Sequence, residues 1–226
     1  MLKHAVKEAR RNKDRSYVIA VECQGKRLIL EADGIVCAIT ATAVPSIFPD
    51  LGEQQKDFFA AIRYSSAALI ARTYKQEQTL GDKGIAFPRQ EGIELSSITL
   101  SPEPGVGQPT LSTLKTYTSG TIGRKLCDKS DSTIIQTLTT AMEPARSAVL
   151  IGNPEPLAIN VQRWPEALPL FDVGHFNRLQ SFENGEIEDQ SQPIVFAGDY
   201  IGGPFMEGAF TSGLKAAKRL ITRLAV

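Results

Sequence analysis

Pro193-Ile-Val-Phe-Ala-Gly-Asp-Tyr-Ile-Gly-Gly-Pro-Phe-Met-Glu-Gly-Ala-Phe-Thr-Ser-Gly213, continuing to Val226, is the stretch from which the fold is read. Residues 194–197 are a short apolar run rich in β-formers, glycines punctuate 198–203, and Pro204 is placed to open a helix. The pattern predicts a strand, a tight turn and a helix. From Met206 onward the apolar positions Met206, Phe210, Gly213/Leu214, Ala217, Leu220/Ile221 and Leu224 recur at helical spacing, with Lys215, Lys218, Arg219 and Arg223 on the other face and in the last turns. The helix is therefore expected to bury that apolar stripe and to present its N-terminus at the glycine turn. Unpaired N–H groups at such an end, backed by the helix dipole, favour negative charge. Asp199, just past the strand, is placed to accept a hydrogen bond from a sugar or polyol hydroxyl. A plain strand–loop–helix connection, with the glycines used only for turning, reads the same pattern equally well.

The chain has 226 residues, 42% of them hydrophobic, enough for one substantial core arranged in one or two lobes. Twenty-five basic and twenty-five acidic residues cancel, so no long-range field draws in nucleic acid or an anionic membrane. Cys23, Cys37 and Cys127 are an odd, unclustered set without metal-ligand spacing, which points to a reducing compartment. The most apolar stretch, 35–44, is far shorter than the ~20 residues that cross a bilayer, and no signal-peptide core is present. A soluble cytoplasmic protein is the expectation.

Working outward, 5–11 reads as a short strand or turn, 12–15 as a hairpin turn, and 16–23 and 26–32 as strands paired across Gln24-Gly25, together a small antiparallel unit. Asp33-Gly-Ile-Val-Cys-Ala-Ile-Thr-Ala-Thr-Ala-Val44 reads as a strand buried on both faces. A weak helical pattern follows at 53–62, then strands at 64–74, 84–89, 94–101 and 110–119 that form a mostly antiparallel sheet. Helices are expected at 121–127, at 131–142 with Asp131 as N-cap, and at 143–152, and a further strand at 156–164. Next comes Arg163-Trp-Pro-Glu-Ala-Leu-Pro-Leu-Phe-Asp-Val-Gly-His-Phe-Asn-Arg-Leu179, whose prolines, glycine and sole tryptophan argue for a rigid connection. His175 is read as a helix-N-terminal histidine satisfied by a backbone carbonyl rather than as a general base.

The string 197–213 resembles the C-terminal flavin-binding signature of the FAD-dependent amine oxidase superfamily, which includes protoporphyrinogen oxidases and phytoene desaturases. The resemblance implies FAD as cofactor, with Gly198 and Asp199 along its ribityl and pyrophosphate and Met206, Glu207, Gly208 and Ala209 at the pyrimidine edge of the ring. Ala32, Asp33 and Ala38 match the strand that leads out of the family's FAD domain, although the family more often has a proline after the alanine and a threonine, and here Ile39 and Thr40 follow Ala38. Val6 matches the valine whose backbone binds adenine. Trp164, Ala167, Pro169, Gly174, His175, Arg178 and Leu179 follow the order of a protoporphyrinogen-oxidase-like segment, so Trp164 is either a core residue or a flavin-side wall.

The family's opening Rossmann βαβ unit, with its Gly-x-Gly-x-x-Gly turn, has no counterpart here, since Gly105-Val-Gly107 sits in a proline-rich loop and Gly202-Gly203 belongs to the other signature. The expected fold is thus mixed α/β: residues 1–44 and 193–226 as the C-terminal part of the FAD-binding domain, and 45–192 as a substrate domain of antiparallel sheet and helices. The implied function is a flavin-dependent oxidation of a C–N or C–C bond in an apolar small molecule, with a separate chain supplying the N-terminal half. Phe87, Tyr64 and Phe171 are candidates to line the apolar cavity. The competing reading is a truncated, non-catalytic paralogue that holds no FAD and binds a ligand or partner. Strands meant to lie beside missing Rossmann strands are expected to remain as open edges.

Overall fold

The computed structural model describes residues 2–88, 94–102, 111–118, 120–187 and 192–225. The proposed Gly105-Val-Gly107 loop lies outside them. In chain order the elements are β1 (His4–Arg11), β2 (Tyr17–Cys23), β3 (Lys26–Ala32), β4 (Ile35–Cys37), α1 (Val44–Ile47), α2 (Glu53–Ala60), β5 (Arg63–Tyr64), β6 (Ala67–Lys75), β7 (Lys83–Ala86), β8 (Ser97–Pro102), β9 (Leu111–Tyr117), α3 (Gly120–Cys127), α4 (Asp131–Met142), β10 (Ala158–Trp164), β11 (Pro169–Leu170), α5 (His175–Glu183), β12 (Ile194–Phe196), α6 (Asp199–Gly202) and α7 (Met206–Leu224). They divide into two compact units, one discontinuous (Met1–Arg63 with Leu168–Val226) and one continuous (Tyr64–Ala167). Residues 45–63 and 168–187, placed with the substrate domain on sequence, group by packing with the two ends of the chain. The physical cause is an aromatic cluster: Phe58 and Phe59 of α2 meet Phe182 of α5 and Phe196 of β12, with Phe58 stacked on Phe182 at 4.3 Å.

In the discontinuous unit β1, β2 and β3 form an antiparallel meander, and Gln24 and Gly25, both at positive φ, make its tight turn. β4 pairs in parallel with β12, Cys37 opposite Phe196. The apolar run after Asp33 does not stay extended to Val44: strand pairing ends at Cys37, and residues 41–47 wind into helical turns, with Pro45 in the first turn of α1. Nor is that strand buried on both faces, for Val36 and Ile39 are exposed. Both line an open apolar pocket, and among the described residues β4 pairs only with β12.

The continuous unit is a five-stranded antiparallel sheet in the order β10-β6-β9-β8-β7. Alternation along β6 sends Ala68, Ile70 and Tyr74 into a core completed by Leu100 and Leu114 of the sheet and Ile134 and Leu138 of α4. Ser130, not Asp131, caps α4, its hydroxyl accepting from the Thr133 amide. Ser at this position satisfies an orphan N–H that Asp131, one residue into the helix, leaves unmet. Arg72 is also buried on the helix-facing side, held by the hydroxyls of Thr116 (3.4 Å) and Thr139 (2.6 Å).

Candidate flavin site

The parallel pairing of β4 and β12 sets the geometry, because both strands stop at the same level. The Ala197 amide donates to the Cys37 carbonyl at 2.9 Å, so Ala38 on one strand and Gly198-Asp199 on the other leave the same carboxyl end of the sheet. Open α/β sheets bind ligands outside that end. The glycine-punctuated tight turn expected at 198–203 contains a single helical turn, α6, closed by the Gly202 amide donating to the Gly198 carbonyl (3.1 Å) and the Gly203 amide to the Asp199 carbonyl (2.8 Å).

α6 and α7 meet backbone to backbone. A Cβ on Gly208 would lie 2.6 Å from the Gly203 carbonyl oxygen, and one on Gly202 would overlap the Gly208 carbonyl. A Cβ on Gly198 would press on the Tyr200 ring at 2.5 Å. Glycine at 202 and 208 is thus required by the close approach itself, which seats the turn directly on the first turn of α7. Ser212 fastens the contact: its hydroxyl accepts from the Gly198 amide (2.9 Å) and donates to carbonyls of Ala209 (2.8 Å) or Gly198 (3.0 Å). Sequence reasoning passed over Ser212, although its i, i+4 spacing with Gly208 and Ala216 was a legible signal.

The stripe of α7 that is buried is Gly208, Ser212 and Ala216, with Leu220 part-buried against Val195 and Ala197. Most of the predicted apolar stripe is instead exposed, Leu220 apart: Met206 is 90% exposed, Phe210 67%, and Leu214, Ile221 and Leu224 are open as well. Small residues won this face because the helix lies too close to β12 and α6 for large side chains to fit between.

α7 begins at Met206, two residues after Pro204, and Phe205 at its N-cap supplies no side-chain acceptor. Met206 and Glu207 are exposed on this first turn and Ala209 is half-buried. Among the described residues no side chain caps the helix end, and the leading N–H groups of such an end favour a ligand's negative charge. Burial raises the Asp199 carboxyl above the usual carboxylate range, with backbone N–H groups of Tyr200 and Asp199 opposing. A half-buried carboxyl of this kind suits a neutral hydroxyl partner.

Val6 and Ala38 line the same apolar pocket, about 420 Å³, together with Ile35, Val36, Ile39 and Phe48. Cys37 is in its wall, and burial pushes its thiol up to about 11. Trp164 belongs to the other unit, at the end of β10, and is 38% exposed. Of the proposed cavity residues, Phe87 packs on the sheet core and Phe171 stacks on His175 (centroids 4.0 Å apart), so core packing accounts for both, and Tyr64 is buried. His175 is satisfied as expected, its Nε2 standing 3.1 Å from the Tyr200 carbonyl oxygen. The glycine turn and the uncapped helix end fit a flavin's phosphate-and-polyol chain and the electron-rich edge of its ring. Among the described residues no cluster could hold a metal, and no helix is long and apolar enough to cross a membrane.

Residues 2–221 match the family model for flavin-containing amine oxidoreductases. The chain is similar to protoporphyrinogen oxidase 1, chloroplastic, of Arabidopsis thaliana (20% identical over 214 residues, 88% of this chain and 40% of the relative) and to the chloroplastic protoporphyrinogen oxidase of Oryza sativa subsp. japonica (22% identical over 219 residues, with the same coverage). It spans about 40% of the length of these relatives. Among solved structures it superposes on cyclohexylamine oxidase from Brevibacterium oxydans (TM-score 0.67, 16% identity, 98% of this chain, 49% of that one) and on reduced UDP-galactopyranose mutase (TM-score 0.68, 13% identity, 98% and 46%). With a mixed α/β architecture that is part of a FAD-binding-type fold, the chain belongs to the flavin-containing amine oxidoreductase family.

Proposed function

We propose that this chain supplies the C-terminal half of a FAD-dependent oxidoreductase of the amine oxidase and protoporphyrinogen oxidase type. The observation that carries the reading is the seating of residues 198–203 on the uncapped N-terminus of α7, at the carboxyl end of β4 and β12. The discontinuous unit takes the cofactor role and the continuous unit the substrate role. Bound flavin would supply the redox chemistry, taking hydride from a C–N or C–C bond of an apolar small molecule. Asp199 accepts from a hydroxyl of the cofactor's polyol chain, and the leading amides of α7 favour negative charge at the ring's pyrimidine edge. Val6 and Ala38 wall an apolar pocket that suits the adenine end. A polypeptide carrying the Gly-x-Gly-x-x-Gly turn provides the remaining contacts to the pyrophosphate.

The test is the visible flavin band of the purified chain, recorded alone and with a candidate N-terminal half. FAD retained in either preparation is the expected result. A chain that stays colourless in both, with FAD added, is instead the non-catalytic paralogue.

A further inference from the structure

His175 has no task in that reading, yet it is 1% exposed and joins two segments twenty-five residues apart. A carbonyl oxygen only accepts, so the 3.1 Å contact to Tyr200 fixes the imidazole proton on Nε2. The ring cannot swing away easily. It stacks on Phe171 at 4.0 Å and 15°, and its own backbone N–H donates to the Asp172 carbonyl. The Asp172 carboxylate is gripped by Arg178 (2.7 Å) and Arg63 (3.1 Å). The imidazole is therefore a donor held in fixed orientation by the start of α5.

What it holds is α6, four residues long, and so short a turn is unstable without outside support. Ser212 holds Gly198, the residue that caps its start, and Gly208 packs on its last residue, both from α7, whereas His175 supports its middle from a different element. We propose that His175 is a positioning residue: by donating to the Tyr200 carbonyl it holds residues 198–203 in the conformation that receives the cofactor's phosphate-and-polyol chain. The ligand clause rests on the function proposed above; the hold on the turn does not.

His175→Phe keeps an aromatic ring against Phe171 and removes the donor, while His175→Gln returns an amide N–H at similar reach. Hydrogen exchange on the chain without FAD reads the hold through the Ile201, Gly202 and Gly203 amides, which are bonded within the turn. In H175F these amides exchange about tenfold faster, the amides of β1 to β3 keep their rates, and H175Q restores the turn. FAD titration of the same proteins gives about tenfold weaker binding for H175F and recovery in H175Q. Unchanged exchange at 201–203, or an equal rise across the whole unit, overturns the proposal. A wild-type chain that binds no FAD overturns the ligand clause together with the proposed function, and the exchange comparison still decides the hold. If H175F does not fold, His175→Asn against H175Q carries the same test, since the shorter amide falls short of Tyr200.

Discussion

At the scale of single residues, the pivots of the candidate site are ones whose side chains are missing or fixed. Gly208→Ala sets a methyl 2.6 Å from the Gly203 carbonyl and forces α6 off α7. The expected loss is about 1–3 kcal/mol in urea unfolding, as for other overpacked sites, together with weaker flavin binding. Burial holds the His175 imidazolium below its ordinary pKa, with the nearby Arg178 adding to this and the Tyr200 carbonyl and Asp172 opposing. The unfolded chain therefore takes up this proton first as pH falls. The stability from neutral His175 is complete above about pH 6.5 and declines below it, so melting temperature drops between pH 7.5 and 5.5, and less so in H175Q. Asp172, lowered by its bonds to Arg178 and Arg63, acts in a separate window at or below the ordinary carboxylate range, where acid removes its contribution. Cys37, at about 11, is almost wholly thiol at pH 8 and should resist iodoacetamide until the chain is unfolded, by mass-spectrometric mapping. The pair Gly198-Asp199 was legible in the sequence because a strand, a glycine and an acid are neighbours along the chain. The hydrogen bond from His175 to Tyr200 was legible only as some carbonyl, since no local rule says which one.

At the scale of elements, α7 separates what a pattern shows from what packing selects. Its sequence carries two stripes, the large one through Phe210 and Leu214 and the small one through Gly208, Ser212 and Ala216. Hydropathy chooses the first and the close approach to β12 chooses the second. Phe210→Gln should consequently shift stability by no more than about 0.5 kcal/mol in the chain alone, as exposed positions do. Ala216→Leu should cost about 1–3 kcal/mol because the added atoms have nowhere to go. Both are read by urea unfolding, and the reverse order would mean that the large stripe is the buried one. The strand after Asp33 shows the same limit. A run of apolar residues is equally compatible with a strand and with a packed helical turn, and pairing with β12 decides that it stops at Cys37.

At the scale of the whole molecule, large apolar side chains stay in water on two features of one unit, the open edge of β4 and the outer face of α7. Apolar patches of this kind mark interaction or ligand surfaces, and under the function proposed above their occupant is the polypeptide that carries the Rossmann half. The chain alone should therefore bind a hydrophobic dye such as ANS, and a complementary Rossmann half should suppress the signal. The meander with its Gln24-Gly25 turn, the antiparallel sheet, the closing strand and helix and the flavin signature were determined by sequence alone, because each rests on periodicity or on residues a few positions apart. Only the tertiary structure decided that 45–63 and 168–187 pack with the chain ends, that small residues line the buried face of α7, and that His175 reaches Tyr200. Those outcomes depend on which surfaces approach most closely, and steric fit between distant segments is not written in the spacing of either one.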